Sequence, residues 1–206
     1  MITNDKSCLQ YKSSQPIFIE GGHSNGLYCV NEGKIKLHKM GSDGKEQIVR
    51  LVKPGDFIGY RALMSGTTYS ASATALEDCT ICFVPKSMFF SILKKNDEFS
   101  EGMMKLLCRN LEESEKRLTE MAYKPVRERL AEALLLIKGT FQDEESNIPY
   151  TVNFTREDLA NLVGTAKETV IRLLSEMKSE KIVKTEGRKI ILLEPQKLAQ
   201  IANMYD

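Results

Sequence analysis

Residues 164–174, Gly-Thr-Ala-Lys-Glu-Thr-Val-Ile-Arg-Leu-Leu, set a cation, a carboxylate and a second cation on a short segment directly after a Gly-Thr turn. At roughly 100° per residue, a helix here places Val170, Leu173, Leu174 and Met177 on one side. Lys167, Glu168, Ile171, Arg172 and Ser175 fall on the other. Donors and an acceptor at fixed helical spacing suit the edge of a base pair. Lys167 can donate to guanine O6 and N7, and Glu168 can accept from a cytosine amino group. Arg172 can pair bidentately with guanine, and Ile171 suits a thymine methyl. Plainer roles compete. Glu168 can close a capping box with Thr165. Arg172 can be a solvated residue, or pair with Glu168 for about 0.2–0.5 kcal/mol.

The flanking segments must hold that face in place. Thr155-Arg-Glu-Asp158 reads as a capping box, so a helix starts near Arg156 and runs through "REDLANLV" to Gly164. Thr165-Ala-Lys-Glu168 reads as a second capping box. Small Ala160, then Gly164, then apolar Val170 is the spacing of two helices joined by a tight turn. "KIVKTEGRKIILLE" follows as two strands joined by "TEGR", a wing. Lys178, Lys181, Lys184, Arg188 and Lys189 concentrate positive charge there. The pattern predicts a winged helix-turn-helix with double-stranded DNA as its partner. Thr155, Arg156, Thr165, Thr169, Arg188 and Lys189 are placed to hold phosphates, which fixes register rather than sequence choice.

Upstream the pattern is different. From residue 16 to about 90, short β-branched and aromatic runs alternate with glycine-bearing turns, predicting an antiparallel β-roll or sandwich. "MGSDGKE" is a hairpin signal. In "GKIKLH", Ile35 and Leu37 are expected to face the core, and Lys34, Lys36 and His38 to face water. "SMFFSILKKN" reads as a short helix, and 97–123 as one long helix without proline. Along it Met104, Leu107, Leu111, Ser114, Leu118 and Met121 recur at three- and four-residue steps. A narrow stripe with polar flanks is the seam of a two-chain coiled coil, or else a core helix lying on its own sheet. Asn110 beside it either sets register or is solvated. Lys124-Pro125 ends the helix and marks a hinge. "VRERLAEALLLIKG" follows as a helix stopped by Gly139, then an acidic polar loop. The expected fold is α+β: a jelly-roll-like β-roll over 1–96, a dimerisation helix over 97–123 and a winged helix-turn-helix over 124–206.

Composition narrows the function classes. The net charge of +1 over 206 residues announces no nucleic-acid partner, so that case rests on local charge. No apolar run approaches the roughly 18 residues of a membrane span. The N-terminus lacks the order of a secretion signal, which predicts a cytoplasmic protein. The five cysteines are scattered and odd in number, which fits reduced thiols rather than a disulfide framework. Cys79 and Cys82 have metal-like spacing, but on a strand they point to opposite faces. With only two histidines, His23 and His38, no metal site is expected. No phosphate loop or nucleophile elbow is present, so no enzyme is expected.

The order of these parts, and "TREDLANLVGTAKETVIRLLSEMKSEKIVKTEGRKIIL" above all, closely resembles the Crp/Fnr family of bacterial transcription regulators, from about Gln15 to about Leu193. The resemblance implies a homodimer on an inverted-repeat operator with a TGA-like core, and RNA polymerase as a further partner. It assigns Glu168 and Arg172 as base readers; Lys167 stands where cyclic-AMP-type members have Arg. "KPGDFIGYRALMSGTTYSASATALEDCTICFVP" is similar to the effector-binding segment, with Gly59, Tyr60, Arg61, Tyr69 and Ser70 as the candidate pocket. Tyr60 and Tyr69 replace the Glu and Arg that cyclic-AMP-binding members use. Without that Arg, a buried phosphate loses a charge-assisted pair, a loss on the order of several kcal/mol. Cyclic AMP in the usual mode is therefore not expected. Nor is an iron–sulfur cluster, since Cys8 stands alone near the start. Arg61 is either an acid-binding group or a surface arginine. A haem sensor through His23 or His38 has no other support. Two further readings are a constitutively active regulator and a cyclic-nucleotide-type sensor serving as a regulatory subunit of an enzyme. The winged helix argues against the second.

Overall fold

The computed structural model describes residues 7–142 and 150–203. The first six residues, which carry part of the signal-sequence reading, and the acidic stretch 143–149 lie outside them. The chain divides into two compact units, 1–115 and 116–206.

The first unit is a β-sandwich with helices on one outer face. Its elements are β1 (Ser7–Tyr11), β2 (Pro16–Phe18), β3 (Gly26–Glu32), β4 (Ile35–Met40), β5 (Glu46–Val52), β6 (Phe57–Ile58), α1 (Tyr60–Ser65), β7 (Ser72–Ala75), β8 (Cys79–Pro85), α2 (Lys86–Lys95) and the greater part of α3 (Asp97–Tyr123). Two four-stranded antiparallel sheets form, ordered β1-β8-β3-β6 and β2-β7-β4-β5. Strand alternation turns Val30, Ile58, Cys79 and Ile81 of one sheet toward Ile35, Val52, Ala73 and Ala75 of the other. On the outer face, Leu27 and Val84 pack with Leu63 of α1, Phe89 of α2 and Met103 of α3. Each such burial contributes about 1.5–3 kcal/mol. The start of α3 is thereby held to the sheet.

Several expectations need correction here. The β4–β5 hairpin forms, and Gly44 takes the positive φ of 76° its turn requires. The bulge falls in β5, at Val49, and β4 stays regular against β7, so His38 keeps the face of Lys36 and Thr74 but does not reach water there. Its side chain is buried, with Nε2 2.9 Å from Thr74 Oγ1 and Nδ1 3.4 Å from Glu46. Lys36 also lies close to the sheet, with its ammonium 2.7 Å from Glu46. The expectation that all five cysteines are unpaired is overturned. β1, which sequence patterning does not reveal, places Cys8 directly opposite Cys82, and the two form a disulfide. Cys79 and Cys82 do point to opposite faces: Cys79 joins the sandwich core and donates its thiol to the Lys34 and Glu77 carbonyls.

The second unit contains the end of α3, then α4 (Val126–Phe141), β9 (Thr151–Asn153), α5 (Arg156–Val163), α6 (Lys167–Ser179), β10 (Val183–Glu186), β11 (Lys189–Leu192) and α7 (Pro195–Ile201). α4 packs on α5 and α7, and a three-stranded sheet ordered β10-β11-β9 closes the unit. β9 and α7 add to the elements the sequence pattern predicts. Gly139 does not stop α4. Its helical penalty of about 1 kcal/mol is too small to end a helix anchored by the fully buried Ile137. Thr140 Oγ1 donates to the Leu136 carbonyl, and Phe141 stacks obliquely on Phe154 with centroids 6.3 Å apart.

Candidate nucleic-acid interface

α5 begins as the sequence predicts. The Asp158 amide donates to Thr155 Oγ1 at 2.9 Å, and that hydroxyl donates to the Asp158 carboxylate at 2.6 Å. Gly164 ends α5 in the left-handed region at φ 71°. The amides of Gly164 and Thr165 both donate to the Ala160 carbonyl. This spends Thr165 on the turn, so α6 starts one residue later than a Thr165 cap requires. Ala166 is the N-cap, and no side chain caps the helix. The second capping box therefore does not form. Glu168 is left exposed in the first turn, where the helix dipole favours an anion.

α6 is sharply two-sided. Val170, Leu173, Leu174 and Met177 are buried, while Lys167, Glu168, Ile171, Arg172 and Ser175 are exposed. The exposed face carries an ionic pattern. Lys167 sits 3.4 Å from Glu157 of α5, and Arg172 pairs with Glu176 one turn on. Glu176 is shared with Arg127 at the start of α4, 3.5 Å away, and Arg127 also grips both Glu180 carboxylate oxygens at 2.7 Å. Arg127 thus ties the far end of α6 to α4. No local signal reveals this, since the partners lie 53 residues apart.

The wing is tied as well. The guanidinium of Arg156 donates to the carbonyls of Gly187 and Arg188, both at 3.2 Å. Half-burial lowers its pKa from the ordinary arginine value. Arg156, expected at a phosphate, is committed to the turn of the wing. Arg188 and Lys189 are exposed beside it, and Thr165 and Thr169 are half-buried at the start of α6. Lys184 is paired with Glu186 at 2.7 Å, which holds that carboxyl below its usual value.

The seam residues on α3 divide between two surroundings. Met104, Leu111, Leu118 and Met121 are exposed, Leu118 to 71%. Leu107 instead packs on the helical side of the sandwich. Asn110 donates its amide to the Tyr60 hydroxyl, and Ser114 donates to the Asn110 carbonyl at 2.7 Å.

Of the candidate effector residues, Gly59 and Tyr69 stand together, while Tyr60 turns to other partners. Tyr69 is buried and stacked on Phe18 with centroids 4.0 Å apart; Tyr28 also stacks on Phe18, at 5.7 Å. Tyr28 shares a hydrogen bond with Tyr69, and burial above all pushes its hydroxyl up to about 12. Gly59, at φ 84°, lies close enough to Tyr69 that an added Cβ would stand 3.4 Å from the ring. Tyr60 is 2% exposed, and its hydroxyl faces Arg50 at 3.4 Å as well as Asn110. Arg61 and Ser70 are exposed, and the Ser70 carbonyl accepts from Lys39 at 2.6 Å.

Known proteins share this arrangement. Residues 8–96 match the cyclic nucleotide-binding domain, and residues 128–201 match the Crp-like helix-turn-helix domain. The chain is 24% identical over 202 residues to a CRP-like cAMP-activated global transcriptional regulator of Mycobacterium tuberculosis, covering 98% of this chain and 90% of that protein. It is 26% identical over 194 residues to the fumarate and nitrate reduction regulatory protein of Vibrio cholerae, covering 94% of this chain and 77% of that protein. A CRP/FNR family transcriptional regulator from Thermus thermophilus superposes with a TM-score of 0.81 at 26% identity, covering 96% of this chain and 98% of the other.

Proposed function

The chain belongs to the Crp/Fnr family of transcription regulators, and from that premise we propose that it acts as a homodimer on an inverted-repeat DNA operator. In this reading α6 of each protomer enters a major groove, the two grooves about one helical turn apart. Lys167, Glu168, Ile171 and Arg172 read base edges. Thr165, Thr169, Arg188 and Lys189 hold phosphates, with Arg156 fixing the wing that carries the last two. Thr155 serves mainly as the cap of α5. The observation that carries the proposal is the two-sidedness of α6: four polar or contact-capable side chains face out while their apolar neighbours are buried. Lys167 and Arg172 have carboxylate partners within the unit, yet both stay exposed and available to a duplex.

Two chains meet along Met104, Leu111, Leu118 and Met121 of α3, whose exposure leaves an apolar stripe in search of cover. The work is done in the cytoplasm, where duplex and RNA polymerase are at hand, and involves no catalysis. Among the described residues no helix is long and apolar enough to cross a membrane. Cyclic AMP does not bind in the usual mode. Tyr69 and Tyr60 are committed to Phe18, Arg50 and Asn110, and neither supplies a cation for a phosphate.

The test is selection of duplexes from a random pool, followed by competition. An inverted repeat that outcompetes random duplex at fixed salt is expected. Equal retention of selected and random duplexes would refute sequence reading. Calorimetric titration giving micromolar cyclic AMP binding would refute the effector statement.

A further inference from the structure

We infer that Cys8, Cys82 and Cys29 form a thiol–disulfide exchange site in which Cys82 is the sulfur shared by two neighbours. β8 lies between β1 and β3 and is antiparallel to both. Cys82 is directly opposite Cys8 on one side and directly opposite Cys29 on the other. Directly opposed residues project to the same face, with Cβ atoms about 4.5–5.5 Å apart. Cys8 and Cys82 already meet as the close pair and are bonded, whereas Cys29 faces Cys82 across the wider hydrogen-bonded pairing of about 5.5 Å between Cα atoms, within the roughly 4.4–6.8 Å a disulfide spans. Cys8 and Cys29 are two strands apart, about 9–10 Å, and cannot bond to each other. The sheet therefore permits two crosslinks among these three residues, and both use Cys82.

The row also sets the direction of attack. The three residues stand in one row across the strands, with Cys29 and Cys8 on opposite sides of Cys82, so a Cys29 thiolate reaches the Cys82 sulfur from the side away from Cys8. Displacement at a disulfide needs that rear approach. The Cys29 thiolate attacks Sγ of Cys82, a Cys29–Cys82 bond forms, the Cys8–Cys82 bond breaks, and Cys8 leaves as a thiolate. The step is redox-neutral and needs no outside reagent beyond the proton lost by Cys29 and taken up by Cys8.

The two crosslinked states differ in what they hold. Cys8 is exposed on the edge strand, Cys82 is 6% exposed, and Cys29 is half-buried. Exchange removes the covalent staple from β1, leaving its backbone ladder and the Lys12–Asp78 ion pair at 2.7 Å. The bond moves beside Phe57, which pairs with Cys29 and lines an apolar groove with Phe99, Met103 and Leu106 at the start of α3. Cys79 faces the opposite side of the sheet and Cys108 lies on α3, so both stand outside the row.

The full chain, purified without reductant, is labelled with iodoacetamide under native conditions, then acid-quenched, digested and mapped by mass spectrometry. In the wild type, Cys8 labelling is expected to accumulate together with the Cys29–Cys82 crosslink. Cys29→Ser should keep the Cys8–Cys82 bond and slow Cys8 labelling by about tenfold or more, since the internal nucleophile is gone. Cys8→Ser, oxidised in glutathione buffer, should form Cys29–Cys82. A wild type that is fully reduced, a Cys8–Cys29 crosslink, or Cys8 labelling unaffected by Cys29→Ser would overturn the assignment. The wild-type measurement stands whether or not a variant folds. None of these outcomes depends on DNA binding.

Discussion

Arg172→Ala separates reading a base from holding the backbone. The Arg172 side chain is 64% exposed, and among the described residues its ion pair is with Glu176, whose side chain is 38% exposed. An exposed pair at that spacing contributes about 0.2–0.5 kcal/mol, so turning Arg172 to a guanine forfeits little. A bidentate arginine–guanine contact contributes about 1–3 kcal/mol of discrimination. The net is about 1–2.5 kcal/mol per half-site, hence about 2–5 kcal/mol for a symmetric dimer, or roughly thirty-fold to several-thousand-fold in Kd. Fluorescence anisotropy at one fixed salt concentration would compare the selected inverted repeat with duplexes swapped at each base pair of the half-site. The wild type should lose affinity on swapping the contacted pair, and Arg172→Ala should lose that sensitivity at that pair alone. If the variant weakens by the same factor on every duplex, Arg172 is a phosphate contact and the base-reading assignment falls. Glu176→Gln is the companion control. It releases Arg172 from its pair and should change affinity by no more than about two- to three-fold per half-site.

Other outcomes follow from the same geometry. Thr155→Ala removes the cap of α5 and should lower urea-unfolding stability by about 1 kcal/mol, with Thr155→Ser retaining most of it; equal loss in both variants would discount the cap. Tyr60→Phe strips the acceptor shared by Asn110 and Arg50 and should destabilise by about 1–3 kcal/mol. No change in the unfolding midpoint would mean that bridge contributes nothing. Arg188→Ala should weaken binding on all duplexes alike and reduce the slope of log K against log salt; an unaltered slope would remove it from the phosphate contacts. Burial, with Glu120 adding to it, raises the Glu132 carboxyl above its ordinary 4.5, against the pull of Lys124. The folded chain then keeps that proton to higher pH than the unfolded one. The associated stability is present below 4.5 and is lost as pH rises through the raised value. Glu132→Gln should flatten the stability profile in that window, and a superimposable profile would contradict the shift.

The helix-turn-helix was legible because its signals are local. The Thr155 cap, the αL glycine at 164 and the buried set Val170, Leu173, Leu174 and Met177 each act within a few residues. The same locality explains the misplaced start of α6. The sequence shows Thr165 and Glu168 at capping distance, but not that the Thr165 amide is already bound to Ala160. What stayed hidden depends on distant partners. Cys8 finds Cys82 across 74 residues, and Arg156 finds the wing about thirty residues on. His38 keeps the outward face that alternation predicts, and only partners on neighbouring strands, Thr74 and Glu46, show that this face is covered. The effector residues rest on resemblance alone: no local signal shows that Gly59 stands beside Tyr69 or that Tyr60 meets Arg50 and Asn110.

The aromatic stack at Phe18, Tyr28 and Tyr69 has an optical consequence. The chain has no tryptophan, so its seven tyrosines supply most of its near-ultraviolet signal. Rings locked at 4.0 and 5.7 Å are held in a fixed chiral setting, whereas Tyr123 is 84% exposed and averages its signal away. Near-ultraviolet dichroism therefore reports melting of the sandwich, while the helical far-ultraviolet band also follows the C-terminal unit. Comparing the two transitions gives a label-free way to tell which half of the molecule gives way first.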